Sequence, residues 1–304
     1  MKLQHLLPLL SLACAQYPVD DSLNHTVWLC GDSTMAPGGG HNGTEGFGQY
    51  LHYSFDSDLV RINNSAYAGR SARTFTREGR FQAVADKIAP GDWVVIEFGH
   101  NDGMFHAPKL DEKTLAYHDT DDGQGTVPSN DTKSRVDCPG MGNETCIGSY
   151  NNQTEIVQTY VTYLQNASSI FLSLGARVII SPPTPTNPYL TANGSFAWTP
   201  TKYSYYSWYI VSSLGGPEAG IYYVDHSSYI AQALQLLGAD VVNAGFPMDN
   251  THTSPYIADV VAKAFVLGLK CGTSPLQDYV VNATSRIQGP ELGTCLSVND
   301  TLPI

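Results

Sequence analysis

In "WLCGDSTMAPGGG" (residues 28–40) one serine, Ser33, follows an apolar run and stands among Gly31, Asp32 and three consecutive glycines. A serine hydroxyl attacks a carbonyl only where a base takes its proton and donors hold the developing oxyanion. Taken alone, Ser33 reads as a turn residue, since Gly tolerates positive φ and Asp or Ser bonds its own backbone. "MDNTHTS" (248–254) offers the complement, with Asp249 and His252 three residues apart. That spacing lets the carboxylate reach the imidazole within one turn, fixing its tautomer and supporting the imidazolium, as a serine's base requires. "FGHND" (98–102) adds Asn101, a neutral amide donor. "AYAGRSART" (66–74) adds Gly69, where a backbone N–H can approach a ligand closely. Each signal has an ordinary structural explanation; jointly they point to acyl transfer by a serine nucleophile.

The elements around these residues place Ser33, Gly69 and Asn101 at one sheet edge and Asp249 and His252 just before the last helix. "TVWLC" (26–30), "DLVRI" (58–62), "WVVIEF" (93–98), "ARVIIS" (176–181) and "IYYVD" (221–225) are short, mostly unbroken apolar runs. Continuous rather than alternating hydrophobicity predicts strands covered on both faces, as in a parallel sheet. Helical patterns fall over 77–88, 152–174, 207–214, 228–238 and 255–270, the last with Pro255 in its first turn. Strand–helix alternation over five strands predicts an α/β fold, a three-layer α/β/α sandwich. Ser33 then follows the first strand, Gly69 the second and Asn101 the third. In such sheets ligands sit beyond the carboxyl ends of the strands. The setting is not the G-x-S-x-G nucleophile elbow, because Met35 stands where its second Gly would be.

Bulk composition narrows the compartment and the partners. The chain has 304 residues, 42% of them hydrophobic and only 14% charged, against about 25% in ordinary globular chains. A net charge of 16 − 28 = −12 argues against nucleic acid. "MKLQHLLPLLSLACAQ" reads as a secretory signal peptide over 1–15, followed by a single domain over 16–304. No later stretch is apolar for long enough to be a membrane helix, so the mature protein is expected to be soluble, secreted and monomeric.

Sequons at Asn24, Asn42, Asn63, Asn130, Asn143, Asn152, Asn166, Asn193, Asn282 and Asn299 predict a glycosylated surface. After leader removal Cys30, Cys138, Cys146, Cys271 and Cys295 remain, and two bridges among five thiols allow 5 × 3 = 15 arrangements. Close spacing favours Cys138–Cys146 and Cys271–Cys295, without settling the pairing, and would leave Cys30 as a buried free thiol.

No metal or cofactor is expected. His41, His100, His106, His118, His226 and His252 are scattered, with no H-E-x-x-H or paired C-x-x-C signal. "DTDDG" (119–123) has the acidic start of a calcium loop, but Asn130 occupies the place of its closing Glu. Two stretches, 103–151 and 182–203, read as long loops of the kind that shape a site. Arg70, Arg73, Arg77 and Arg80 crowd together just after Gly69. Arginine forks suit carboxylates, so Arg70 and Arg73 are candidate substrate contacts, although Glu78 and Asp86 are at hand to pair with this cluster.

Gly31-Asp32-Ser33, Gly69, Gly99-His100-Asn101-Asp102 and Asp249 to His252 resemble, in order and over nearly the whole mature chain, the blocks of the SGNH or GDSL hydrolase family. "GDSTMA", "AGRSARTFTREGRF", "VVIEFGHNDG", "YVDHSSY", "HTSP" and the late "GTC" look most like fungal rhamnogalacturonan acetylesterases. The resemblance fits the same disulfide pairing and implies a flavodoxin-like parallel five-stranded sheet of order 2-1-3-4-5. It implies a cofactor-free serine esterase acting on acetylated pectin of the plant cell wall. Ser33 would be the nucleophile, His252 the base and Asp249 its orienter, with an oxyanion hole from the Ser33 and Gly69 N–H groups and the Asn101 amide. The stretch from Gly103 to Cys138 is long for such enzymes, which leaves the polysaccharide and the acetyl position open. An esterase for lipid or aryl esters is the alternative within the family. A catalytically inactive carbohydrate-binding protein is the alternative outside enzymes.

Overall fold

Residues 93–97 are apolar at four of five positions, and a strand built from them must be covered on both faces. The computed structural model describes residues 24–103, 109–111, 116–118, 138–150, 153–281 and 292–297, and there all five are buried. The signal peptide, His106, the "DTDDG" stretch and most of the 103–138 loop lie outside the described residues. So do the side chain of His118 and the sequons at Asn130, Asn152, Asn282 and Asn299.

Along the chain the strands are β1 (His25–Gly31), β2 (Val60–Asn64), β3 (Trp93–Glu97), β4 (Lys109–Asp111), β5 (Ala116–His118), β6 (Thr145–Tyr150), β7 (Gln153–Gln158), β8 (Arg177–Ser181) and β9 (Ile221–Tyr223). The α-helices are α1 (Ala72–Arg77), α2 (Arg80–Ala85), α3 (Tyr160–Ser173), α4 (Lys202–Ser213), α5 (His226–Leu237), α6 (Ala239–Ala244) and α7 (Pro255–Cys271). The central sheet is parallel throughout, in the order β2-β1-β3-β8-β9. Counted along the chain, its five strands run 2-1-3-4-5. Gly31 pairs with Glu97, and Glu97 with Ser181, so the carboxyl ends of the three central strands finish level.

Side-chain alternation divides the core into two layers. Val27, Leu29, Trp93, Val95 and Ile179 face Ile230 of α5 and Ile257 and Phe265 of α7. Trp28, Cys30, Val94, Ile96, Val178 and Ile180 face Phe75 of α1, Phe81 of α2, Leu164 and Phe171 of α3, and Ile210 of α4. Each large aliphatic or aromatic side chain so buried stabilises the fold by roughly 1.5–3 kcal/mol relative to exposure. Cys30 is free and buried, and burial pushes its thiol up, so it packs as a small hydrophobe.

Three expected helices differ. Of the 77–88 pattern only Arg80–Ala85 forms a helix of its own, α2; Arg77 closes a separate helix, α1, that lies otherwise outside the expected span, and Gly79, with a left-handed φ of 69°, divides the two. α1 starts earlier than the pattern, at a capping box in which Ser71 and Thr74 satisfy each other's amides. The 152–174 pattern contains a strand: β7 pairs antiparallel with β6, and α3 begins only after Thr159 caps it by accepting from the Thr162 amide at 3.0 Å. α4 opens at Lys202 rather than 207. There Tyr203, Ser204, Ser207, Ile210 and Val211 lie buried on one side, overriding the poor helix propensity of "KYSYYSWY". The disulfides are Cys138–Cys146, next to the β6–β7 hairpin, and Cys271–Cys295, which ties the end of α7 to residues 292–297. Among the described residues no helix is long and apolar enough to cross a membrane.

Candidate active site

Ser33 owes its place to the turn that ends β1. The Asp32 carbonyl accepts from the Ala36 amide at 2.9 Å, and Asp32 Oδ1 accepts from both the amide and the hydroxyl of Thr34 at 2.9 Å. A buried aspartate thus folds the chain back immediately around Ser33. A side chain on Gly31 would crowd its neighbours, since a Cβ would lie 2.8 Å from Met35 Sδ and 3.0 Å from the Glu97 carbonyl oxygen. Ser33 is 5% exposed, at the sheet edge predicted for a ligand.

His252 reaches Ser33 from 219 residues away. Ser33 Oγ lies 2.8 Å from His252 Nε2, and His252 Nδ1 lies 2.6 Å from Asp249 Oδ2. Asp249 Oδ1 also accepts the backbone amides of Thr251 and His252, each at 2.8 Å. Partial burial pushes the Asp249 carboxyl up. The His252 amide and imidazole and the Thr251 amide outweigh it, holding the group below the usual carboxylate range. An ionised carboxylate only accepts, so Nδ1 carries the ring proton and Nε2 presents its lone pair to the Ser33 hydroxyl. The block is anchored on both sides. The Asn187 amide donates to the Asn250 carbonyl at 2.8 Å, and Ser254 caps α7 through the Ile257 amide.

Gly69 and Asn101 follow β2 and β3 and are tied to one another's loops. Gly69 has a φ of 75°, a left-handed conformation that favours glycine. The Asn101 amide nitrogen donates to the Arg70 carbonyl at 3.2 Å, and Asp102 Oδ1 accepts from the Ala72 amide at 2.9 Å. The first of these bonds uses one of the two Asn101 amide hydrogens and leaves the other to point elsewhere. Asn101 itself is 9% exposed. Beside it His100 is buried with Nε2 3.0 Å from Thr184 Oγ1. Burial pushes the His100 imidazole down, against the charge of Asp32.

The arginine cluster is largely spent on glutamates. Arg70 forks onto Glu78 and stacks 4.3 Å over the Tyr67 ring, and Arg80 contacts Glu78 and Tyr67 from the other side. Arg73 is 5% exposed, with Nε 3.7 Å from Glu155, and Arg77 reaches the same carboxylate at 3.0 Å. Glu78 is therefore a partner as anticipated. Asp86 instead accepts from Gln82 at 2.7 Å, and the second partner, Glu155, comes from β7. Of the two candidate substrate contacts, Arg70 is the one beside the Asn101 loop.

One buried polar pair escaped sequence reasoning. Glu97 Oε2 lies 2.7 Å from His226 Nδ1, and His226 Nε2 donates to the Val261 carbonyl at 2.9 Å. Burial pushes the Glu97 carboxyl up, opposed by His226. The only available signal was a charge inside the apolar run "WVVIEF". Among the described residues no group of three or more His, Cys, Asp or Glu could hold a metal ion.

Residues 29–209 match the GDSL-like lipase/acylhydrolase family. The chain is 43% identical over 259 residues to a rhamnogalacturonan acetylesterase of Emericella nidulans, covering 85% of this chain and 90% of that protein. It is 41% identical over 86 residues to the probable rhamnogalacturonan acetylesterase YesY of Bacillus subtilis, covering 28% of this chain and 39% of that protein. Among solved structures, Bacillus subtilis YxiM superposes with a TM-score of 0.56 at 19% identity, over 82% of this chain and 56% of the other, a likeness of fold.

Proposed function

The chain belongs to the GDSL-like lipase/acylhydrolase family, and from that premise we propose that it is a secreted serine esterase removing acetyl groups from a rhamnogalacturonan backbone. The observation that carries the reading is the 2.8 Å approach of Ser33 Oγ to His252 Nε2, continued to Asp249. Support for the substrate comes from the 43% identity, held over nine-tenths of the Emericella nidulans enzyme.

In the first half-reaction a bond forms from Ser33 Oγ to the acetyl carbonyl carbon while the hydroxyl proton passes to Nε2. The oxyanion is held by the Ser33 and Gly69 amides and the remaining Asn101 amide hydrogen. Collapse breaks the ester C–O bond, and His252 returns its proton to the departing sugar hydroxyl. Water, deprotonated by the same imidazole, then attacks the acetyl carbonyl carbon; the bond to Ser33 Oγ breaks, His252 returns its proton to Oγ, and acetate leaves. No step calls for a metal or an organic cofactor. Arg70 is the candidate contact for a galacturonate carboxylate at the rim.

The same reading includes cleavage of a leader near residue 15 and action as a monomer outside the cell. N-glycans are assigned to Asn24, Asn42, Asn63, Asn143, Asn166 and Asn193, all exposed. Two disulfides suit an oxidising compartment. The test is acetate release from acetylated rhamnogalacturonan, acetylated xylan and aryl acetates, with Ser33→Ala alongside. Release favouring the pectin and abolished in Ser33→Ala is expected. Substantial esterase activity in Ser33→Ala overturns the mechanism, and a preference for xylan or long acyl chains overturns the substrate.

A further inference from the structure

Gly40 lies against the imidazole of His252. A Cβ on Gly40 would fall 2.4 Å from His252 Cγ and 2.6 Å from both Cδ2 and Nδ1. Nearly equal distances to the two atoms flanking Cγ, with the histidine's own Cβ filling the in-plane approach, put Gly40 over one face of the ring. Only a residue without a side chain fits there.

Gly40 is held in place by a strap, residues 36–46. Its amide donates to Thr44 Oγ1 at 2.8 Å, and the buried Thr44 hydroxyl donates to the His41 carbonyl at 2.7 Å. The Glu45 amide donates to the Thr253 carbonyl at 2.9 Å, and the Thr253 hydroxyl donates back to the Glu45 carbonyl at 3.0 Å. The strap is thereby fastened to the residue that follows His252. Within it His41 and Asn42 take left-handed φ values of 76° and 51°, conformations that persist where surroundings over-determine them. Gly40 itself has no positive φ, so an alanine there meets the ring without backbone strain of its own.

We propose that Gly40 is a positioning residue for His252, the strap serving as a wall that keeps the imidazole aligned between Ser33 and Asp249. The inference rests on the reading of His252 as the base. The hydrogen bond to Asp249 fixes Nδ1, but that carboxylate is 43% exposed and leaves the ring free to tilt about the bond. A backbone wall on one face removes that freedom. Nε2 must accept a proton from Ser33 and deliver it to the leaving oxygen, and a misplacement of about 1 Å can reduce turnover about 100-fold.

The test is Gly40→Ala in the full secreted chain. Expected are a fall in kcat of about 100-fold with KM within about two-fold. The low-field proton resonance of the His252–Asp249 hydrogen bond should be lost or displaced, with an unfolding temperature close to the parent's. Thr44→Val, which removes both hydroxyl bonds, should move kcat the same way, and Thr44→Ser should recover most of the loss. A folded Gly40→Ala with kcat within about two-fold of the parent and its low-field resonance in place overturns the proposal. Where Gly40→Ala does not fold, the Thr44 pair decides, and equal kcat in Thr44→Val and the parent overturns it. Ser33→Ala separates this outcome from failure of the parent reading, since only the latter leaves activity in that variant.

Discussion

Asp249 holds His252 at two points, its Oδ1 accepting the histidine's own amide at 2.8 Å while its Oδ2 faces Nδ1 at 2.6 Å. The first bond fixes the backbone from which the ring projects; the second selects the tautomer. Both need an atom that accepts, which only the ionised carboxylate supplies twice.

Asp249→Asn separates these roles. Its amide oxygen can keep the backbone bond, but its NH2 then faces Nδ1 and forces the ring proton onto Nε2, where it blocks the Ser33 hydroxyl. A loss of about 10⁴-fold in kcat with KM little changed is expected. Steady-state kinetics on an acetyl ester decide, and a loss under about ten-fold would show that the tautomer is set elsewhere.

Asn101→Ala removes one donor of the proposed oxyanion hole and the tether to the Arg70 carbonyl. Turnover should fall roughly 10²- to 10³-fold, about 2.7–4 kcal/mol of transition-state stabilisation, while KM stays near the parent value. A rise in KM with kcat preserved would move Asn101 from transition-state stabilisation to ground-state binding.

Asp249 and Asp225 respond to pH with opposite sign. Asp249 is held below the usual range, so its stabilisation is present above that range and is lost as pH falls through its folded value. Asp225, at the N-terminus of α5, is pushed up from 3.8 to about 6 by burial, against hydrogen bonds from Ser228 and Ser227. The folded state therefore holds the Asp225 proton more tightly, and stability declines as pH rises from 3.8 to about 6. That separation corresponds to roughly 3 kcal/mol at most. Asp225→Asn keeps an acceptor for the Ser228 amide without the charge, so its unfolding temperature should gain on the parent's across this window. A constant difference from pH 4 to about 7 would refute the assignment.

Arg70 and Arg73 are expected to part company. Arg73→Glu sets a second carboxylate beside Glu155 in a buried site, and breaking such a pair costs about 3–5 kcal/mol. Activity on acetylated pectin and on a neutral acetyl ester should then fall together with the folded fraction. Arg70→Ala should raise KM for acetylated pectin and leave the neutral ester unchanged. An equal effect on both substrates would remove Arg70 from substrate recognition.

The legible parts of this protein are those whose signals are short in sequence. Val94, Val95 and Ile96 announce a strand buried on both faces without reference to any partner. Asp249 and His252 are three residues apart, so their contact follows from local reach. Gly31, Asp32 and Ser33 at the end of β1 mark a turn whatever else the chain does. Less was legible where a local pattern competes with a distant one. Ile156 and Val157 stand four residues before Tyr160 and Val161, a helical spacing, yet residues 153–158 pair with β6 and lend Glu155 to Arg73 and Arg77. The helix expected from residue 77 starts only at Arg80, because Gly79 takes a left-handed φ and separates it from α1.

By itself the sequence determined the candidate groups for the proposed reaction, their order along the chain and the strand ends or helix start beside which each stands, because residue type and short-range spacing dictate turns, strands and capping. The tertiary structure alone decided which groups meet. It brought Ser33 to His252 across 219 residues, closed Glu97 onto His226 in the core, and laid Gly40 on the imidazole. Those contacts arise from packing two helical layers on one twisted sheet, and no periodicity encodes a distance between residues that far apart.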